Sequence, residues 1–161
     1  MPELIKVGMA DLKVGRNPDS LISYGLGSCV GIALYDSLTK VGGLAHIMLP
    51  DSTQARATDN KAKFADTALP VLLEQVLQLG GVKSRMTAKI AGGSQMFNFA
   101  QATDVMRIGD RNAEAVREVL KSLSIRLVAE DVGGNYGRTV ELLLDTGVFV
   151  IKTVNKGDNR L

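Results

Sequence analysis

Hydrophobic and polar positions alternate in short runs through most of the chain, which predicts a protein built mainly from β-strands. Turn residues separate the runs, and the predicted strands are residues 3–15 (an edge strand with an irregular continuation), 21–26, 29–35, 41–49, 85–90, 125–130, 139–144 and 148–154. The polar tail from Lys156 onward is expected to be frayed. Most of these strands follow one another through short turns, so hairpins should dominate the sheets.

Two stretches have apolar residues at helical spacing, namely 64–79 and 111–123. Pro70 lies inside the first and is expected to kink or divide that helix. The predicted N-caps are Thr58 or Asp59 for the first helix and Asp110 for the second. The pattern predicts an α+β fold of mixed, largely antiparallel β-sheets in a β-sandwich-like arrangement, with two or three helices packed outside.

The composition limits the class of protein. A length of 161 residues fits a single domain spanning 1–161, and 45% hydrophobic with 22% charged residues is typical of a globular protein. No apolar run approaches the roughly 18 residues that span a bilayer, and the N-terminus lacks the pattern of a secretory signal. The net charge of +2, without tryptophan or a basic cluster, argues against a nucleic-acid partner. A single cysteine is compatible with the cytoplasm.

The candidate chemistry starts from Cys29, the only cysteine, and His46, the only histidine. They lie on the two runs of a predicted hairpin, and two registers bring them to one face. If the loop is 36–39, Cys29 lies directly opposite His46, where Cβ atoms are about 4.5 to 5.5 Å apart. If the loop is 37–40, Cys29 faces Met48 and His46 lies one diagonal away. The spacing allows a catalytic dyad, although such a cysteine is more often a small buried hydrophobic residue.

Glycines surround the cysteine in the sequence GLGSCVG. Their spacing is not that of a dinucleotide-binding loop, and a β-branched and aromatic run follows where that loop needs a helix. A second glycine pair, Gly92 and Gly93, follows a predicted strand. Either these two glycines only allow tight packing against the sheet, or they wall the site and contact a substrate.

Several motifs resemble those of the CheD family of chemoreceptor glutamine deamidases. In chain order they are GLGSC at 25–29, AHIMLPDS at 45–52, KFAD at 63–66, AGGSQMF at 91–97, IGDRN at 108–112 and DVGGNYGR at 131–138. The resemblance covers nearly the whole chain. It implies an enzyme that hydrolyses receptor glutamine side chains to glutamate and releases ammonia, without a metal or organic cofactor.

The resemblance, read with the chemistry of the residues, also suggests roles for the site. Cys29 is the candidate nucleophile, and a neighbouring imidazolium of His46 is expected to favour its thiolate. Backbone N–H groups of Ser28 and Cys29, with Gly27 in the same turn, are the candidate oxyanion donors. The family has a threonine six residues before its cysteine, where this chain has Ser23. Ser23 would orient the histidine through either its hydroxyl or its backbone carbonyl.

The implied partners are the cytoplasmic helices of chemoreceptors, as substrate, and a CheC-like phosphatase. Two other functions stay open at this point. The chain could be a regulatory binding module for the CheC phosphatase with weak or lost catalysis, or a cysteine amidase or peptidase with another substrate. Retention of Cys29 and His46 favours the deamidase, whereas serine at position 23 leaves room for the binding module.

Overall fold

Ten β-strands and two α-helices form the part of the chain that the computed structural model describes, which comprises residues 2–53, 60–95, 107–154 and 156–161. The strands are β1 Leu4–Lys6, β2 Asp11–Arg16, β3 Ser20–Leu26, β4 Val30–Asp36, β5 Val41–Ile47, β6 Met86–Gly92, β7 Arg126–Val132, β8 Arg138–Leu143, β9 Phe149–Thr153 and β10 Gly157–Arg160. The helices are α1 Ala65–Gln78 and α2 Ile108–Ser122, and the two 3₁₀ turns are Lys61–Lys63 and Lys83–Arg85. Neither described helix is long and apolar enough to cross a membrane.

The strands form two five-stranded sheets. One, here called the outer sheet, has the order β1-β3-β8-β9-β10, and the other, the central sheet, has the order β2-β5-β4-β6-β7. Two pairs, β1 with β3 and β6 with β7, are parallel, and the other pairs are antiparallel. Mixed, largely antiparallel sheets were predicted from the sequence, and the structure confirms them.

The layers follow from the alternation of side chains along the central strands. In β4, Val30, Ile32 and Leu34 belong to one hydrophobic core, together with buried residues of both helices. Ala33 and Tyr35 of the same strand belong to a second core, formed with residues of the outer sheet. The helices therefore cover one face of the central sheet and the outer sheet covers the other, which confirms the predicted α+β class with helices outside.

The predicted single edge strand at residues 3–15 is divided. β1 pairs with β3 at the edge of the outer sheet, while β2 pairs with β5 at the edge of the central sheet. Between them Ala10 has a φ of 52°, a left-handed conformation that breaks an extended strand. The chain thus joins the two sheets here, because each half finds a different sheet edge to pair with.

Both helices begin at positions other than those predicted. The N-cap of α1 is Phe64, which makes no side-chain capping hydrogen bond, and Thr58 and Asp59 lie outside the described residues. Pro70 lies within α1, which continues to Gln78 undivided. A proline this near the start removes a single intrahelical bond, and the fully buried Leu69 and Leu72 beside it anchor the helix in the core.

The prediction that Asp110 caps α2 is wrong, because Arg107 is the N-cap and Asp110 is the third helical residue. In the first turn Gly109 packs against the backbone that follows β6, so closely that a Cβ atom on Gly109 would overlap the carbonyl oxygen of Ser94. In the first turn the Asp110 carboxylate still interacts favourably with the helix dipole.

The tail is not frayed, contrary to the prediction. Residues Gly157–Arg160 form β10, which pairs antiparallel with β9 at the edge of the outer sheet. The hydroxyl of Thr153 donates to the carbonyl of Gly157 at 2.7 Å, and the Asn159 amide donates to Asp131 at 3.0 Å. Backbone pairing and these polar contacts hold a strand that has no apolar pattern, so hydrophobic periodicity could not reveal it.

The turn between β4 and β5 is held by the fully buried carboxylate of Asp36. This carboxylate accepts hydrogen bonds from the backbone N–H groups of Leu38, Thr39 and Val82 and from the Nε and Nη2 atoms of Arg85. Burial alone would raise the pKa of Asp36, but the hydrogen bonds, led by those from Arg85, hold it well below its ordinary value. Asp36 is the last residue of β4, so these contacts anchor the end of that strand.

Candidate active site

The hairpin register places Cys29 and His46 on one face of the central sheet. Asp36 pairs with Val41 and Gly31 pairs with His46, so the loop is 37–40. Of the two registers considered from the sequence, this is the one that puts His46 diagonally from Cys29. The sequence predicted a strand over 29–35, which would include Cys29. In the structure Cys29 lies one residue before β4. Gly31 contributes no side chain between the two.

The pair lies between the two sheets and is shielded from solvent. His46 is 0% exposed and Cys29 is 8% exposed. Leu44, two residues before His46 in β5, belongs to the core that the central sheet shares with the outer sheet. Because side chains alternate along a strand, His46 faces the same way. The imidazole therefore meets groups contributed by the outer sheet.

Ser23, from β3 of the outer sheet, is the group that contacts the imidazole. Its Oγ atom is 2.8 Å from Nδ1 of His46 and donates to the carbonyl oxygen of Val7 at 2.7 Å. A serine hydroxyl has one proton, and Ser23 donates it in the hydrogen bond to the Val7 carbonyl, so Nδ1 of His46 must carry a proton and donate to Oγ. This leaves Nε2 as the basic nitrogen. Nε2 is buried and has no hydrogen-bond partner among the described residues.

Burial determines the charge state of the pair. Desolvation raises the pKa of the Cys29 thiol, against a smaller lowering by a hydrogen bond from its own backbone N–H. Desolvation also lowers the pKa of His46, against a smaller opposing effect of the Asp11 carboxylate. Both shifts favour neutral groups near pH 7. This differs from the expectation that an imidazolium favours the thiolate, because a nonpolar surrounding disfavours both charges.

Three consecutive carbonyl groups hold the loop that carries Cys29. The carbonyl of Gly27 accepts from the backbone N–H of Ser94 at 2.9 Å, and that of Cys29 accepts from the N–H of Gly93 at 2.8 Å. The carbonyl of Ser28 accepts from Nδ2 of Asn112 at 2.9 Å. Within the described ranges, the N–H groups of Ser28 and Cys29 donate to no backbone carbonyl. The loop is therefore fixed through its carbonyl groups and not through backbone pairing of these N–H groups.

Gly92 and Gly93 lie directly against this loop. Both have positive φ angles, 115° for Gly92 and 64° for Gly93, which residues other than glycine rarely adopt. A Cβ atom on Gly92 would overlap the carbonyl oxygen of Cys29, and one on Gly93 would lie 2.8 Å from the carbonyl oxygen of Gly109. The close packing proposed as one alternative is therefore present. Contact of these glycines with a substrate stays a prediction.

Sequence reasoning missed three residues that touch the site. Val7 receives the Ser23 hydroxyl, Asp11 pairs with His46 across the β2–β5 ladder, and Asn112 binds the cysteine loop. Asn112 falls within the quoted IGDRN motif, which could have drawn attention to it. Val7 acts through its backbone, which no sequence pattern reports.

No group of three His, Cys, Asp or Glu side chains in the described part of the chain could hold a metal ion.

The fold and the site together define an α+β domain with a cysteine–histidine pair between its two sheets. The family model described as CheD chemotactic sensory transduction matches residues 48–153. A Clostridium botulinum protein named probable chemoreceptor glutamine deamidase CheD is 56% identical over 157 residues, which is 98% of this chain and 97% of the relative. A Lachnoclostridium phytofermentans protein of the same name is 50% identical over 161 residues and 100% of both chains. The chain belongs to the CheD family.

A solved structure also shows some likeness. The crystal structure of a Neisseria meningitidis protein with the family model DUF152 covers 83% of this chain and 65% of its own, with 12% identity and a TM-score of 0.46. Both CheD relatives align over nearly the whole chain, including the segment with Cys29 and His46 that precedes the family match.

Proposed function

We propose that this protein is a chemoreceptor glutamine deamidase, which hydrolyses the side-chain amide of receptor glutamines to a carboxylate and ammonia. The observation that carries the proposal is the hydrogen bond from His46 Nδ1 to Ser23, which leaves Nε2 unprotonated on the face of the sheet that carries Cys29. A thiol, a base with a defined tautomer and a third group that orients the base are the components of nucleophilic amide hydrolysis. The names of the relatives supply the substrate class.

In the first half of the reaction, Sγ of Cys29 attacks the carboxamide carbon of the glutamine. Because the resting thiol is protonated, Nε2 of His46 takes its proton as the bond to carbon forms. The tetrahedral oxyanion is stabilised by the N–H groups of Ser28 and Cys29, with Gly27 in the same turn. The imidazolium then gives its proton to the leaving nitrogen, and ammonia departs from a thioester.

In the second half, water replaces ammonia. Nε2 of His46 accepts a proton from the water while the water oxygen attacks the thioester carbonyl carbon, and the carbon–sulfur bond then breaks. The imidazolium of His46 returns this proton to the departing thiolate of Cys29, and the carboxylic acid that is formed ionises to the glutamate carboxylate. Ser23 keeps Nε2 basic in both halves, since it holds the other ring proton on Nδ1.

The proposed substrate is the helical cytoplasmic region of a chemoreceptor, so we propose that the protein acts in the cytoplasm. A CheC-like phosphatase is a partner implied by the family resemblance. No contact among the described residues favours the alternative in which the chain only binds this phosphatase.

The test is conversion of glutamine to glutamate in a purified receptor fragment, mapped by peptide mass spectrometry. We expect Cys29→Ala and Cys29→Ser to abolish conversion and leave the thermal melt intact, because Cys29 is the only thiol in the chain. Ser122→Ala is a matched control at the end of α2, and it should keep wild-type activity. Full activity in Cys29→Ala would overturn the proposal.

A further inference from the structure

Asn112 connects the two segments that carry Cys29 and His46. Its Nδ2 atom donates to the carbonyl oxygen of Ser28 at 2.9 Å and to the carbonyl oxygen of Met48 at 2.9 Å. Ser28 precedes Cys29, and Met48 follows His46 by two residues. Because a carbonyl oxygen only accepts hydrogen bonds, the group facing both must be the NH₂ of the amide. One side chain therefore joins the cysteine loop to the end of the histidine strand.

The position of Asn112 is set by the way α2 packs. Gly109, one turn earlier on the same helix face, packs against the carbonyl groups of Gly93 and Ser94. The N–H groups of these two residues in turn hold the cysteine loop. Of the contacts that hold this loop, the one from Asn112 also reaches Met48, the residue that directly follows the strand of His46. Asn112 thus relates the loop to the base.

The amide has a cost that a purely structural residue would avoid. Asn112 is fully buried, and its Oδ1 atom accepts no hydrogen bond from the described residues. An unpaired buried acceptor destabilises a folded protein, whereas a leucine would occupy similar space without one. What Asn112 contributes and an apolar residue cannot is the pair of donors to Ser28 and Met48.

We infer that Asn112 is a positioning residue, which sets the spacing between the loop of Cys29 and the chain that follows His46 by holding Ser28 and Met48 at a set distance. The inference rests on the proposed function, since positioning matters only where thiol and imidazole react together. A reacting group misplaced by about 1 Å can cost roughly a hundredfold in rate. Loss of the amide should also free the loop and uncover the thiol.

The test is Asn112→Ala, measured by two independent readouts. We expect kcat for glutamine conversion to fall by about tenfold to a hundredfold, with KM little changed. Iodoacetamide should alkylate Cys29 faster at pH 8, and the alkylation rate should reach half its maximum at a lower pH, because the thiol leaves its buried position. Asn112→Ser keeps one hydrogen-bond donor, so it should show a smaller change in both readouts. It replaces Asn112→Ala in the test if the alanine variant does not fold.

Val116→Ala is the matched control, since Val116 is fully buried one turn further along α2. This variant should lower the melting temperature without changing the alkylation profile or kcat. The inference is overturned if Asn112→Ala melts like Val116→Ala and keeps the wild-type alkylation profile and kcat. Alkylation does not depend on the receptor substrate, so it tests the role of Asn112 by itself. A wild-type protein without deamidase activity would overturn the proposed function, and the alkylation profile would still decide the role of Asn112.

Discussion

The hydroxyl of Ser23 should matter for both stability and rate, and Ser23→Ala tests it. The substitution removes two buried hydrogen bonds, one to the Val7 carbonyl and one from Nδ1 of His46. Each is worth about 0.5 to 1.5 kcal/mol net, so the free energy of unfolding should fall by about 1 to 3 kcal/mol. For a domain of this size, 1 kcal/mol shifts the melting temperature by about 2 to 4 °C, so we expect a decrease of roughly 2 to 12 °C.

The rate effect should be smaller than the loss of either reacting group. An orienting group makes and breaks no bond with the substrate, so its removal misplaces the imidazole without removing it. If one hydrogen bond of about 0.5 to 1.5 kcal/mol is felt fully in the transition state, kcat/KM should fall roughly twofold to twelvefold. Ser23→Thr retains the hydroxyl, so we expect it to be neutral or mildly activating.

The assay is kcat/KM on one receptor fragment, together with thermal melts. Tyr35→Phe is a matched control, since its hydroxyl is buried and donates at 2.7 Å to the carbonyl of Leu144. Six residues of strand place Tyr35 about 20 Å from Cys29, so this variant should lose stability without losing rate. A Ser23→Ala enzyme as inactive as Cys29→Ala would show that the hydroxyl is indispensable. Wild-type kinetics would refute the orienting role.

Two further predictions concern buried charge. Asp36→Asn should lower the free energy of unfolding by about 3 kcal/mol, as measured by urea denaturation. This is the lower end of the range for breaking a buried ion pair, because the Arg85 side chain is 35% exposed and is partly rehydrated. Glu130→Gln, which breaks a half-exposed pair with Arg117, should cost under about 1 kcal/mol, and equal costs would contradict the anchoring role of Asp36. The pKa of His46 in the folded state lies below its unfolded value near 6.5, so the unfolded chain binds more protons below that pH. The free energy of unfolding should therefore fall as the pH drops from 6.5 towards the folded-state pKa, by up to about 1.4 kcal/mol per pH unit. Urea denaturation at pH 7 and pH 5.5 should show this decrease in wild type and not in His46→Asn.

The sequence by itself determined the pieces of the site that lie on one hairpin. A side-chain period of two and a short polar loop put Cys29 and His46 on one face in either of two registers. The apolar runs likewise located the central strands and both helices, because a buried face imposes a repeat on neighbouring residues. These are local rules, so a single sequence reveals them.

Only the tertiary structure decided which register holds and what surrounds the pair. The loop is 37–40, and the carboxylate of Asp36 at its start binds Arg85, which is 49 residues away. The imidazole has a defined tautomer because Ser23 arrives from the other sheet, and Asn112 reaches the cysteine loop from 84 residues along the chain. The polar strand β10 exists through pairing with β9. The contacts of Asp36, Ser23 and Asn112 join segments that are distant in the sequence, and β10 is held by backbone pairing. Neither kind of contact leaves a periodic pattern in the residues on either side of it.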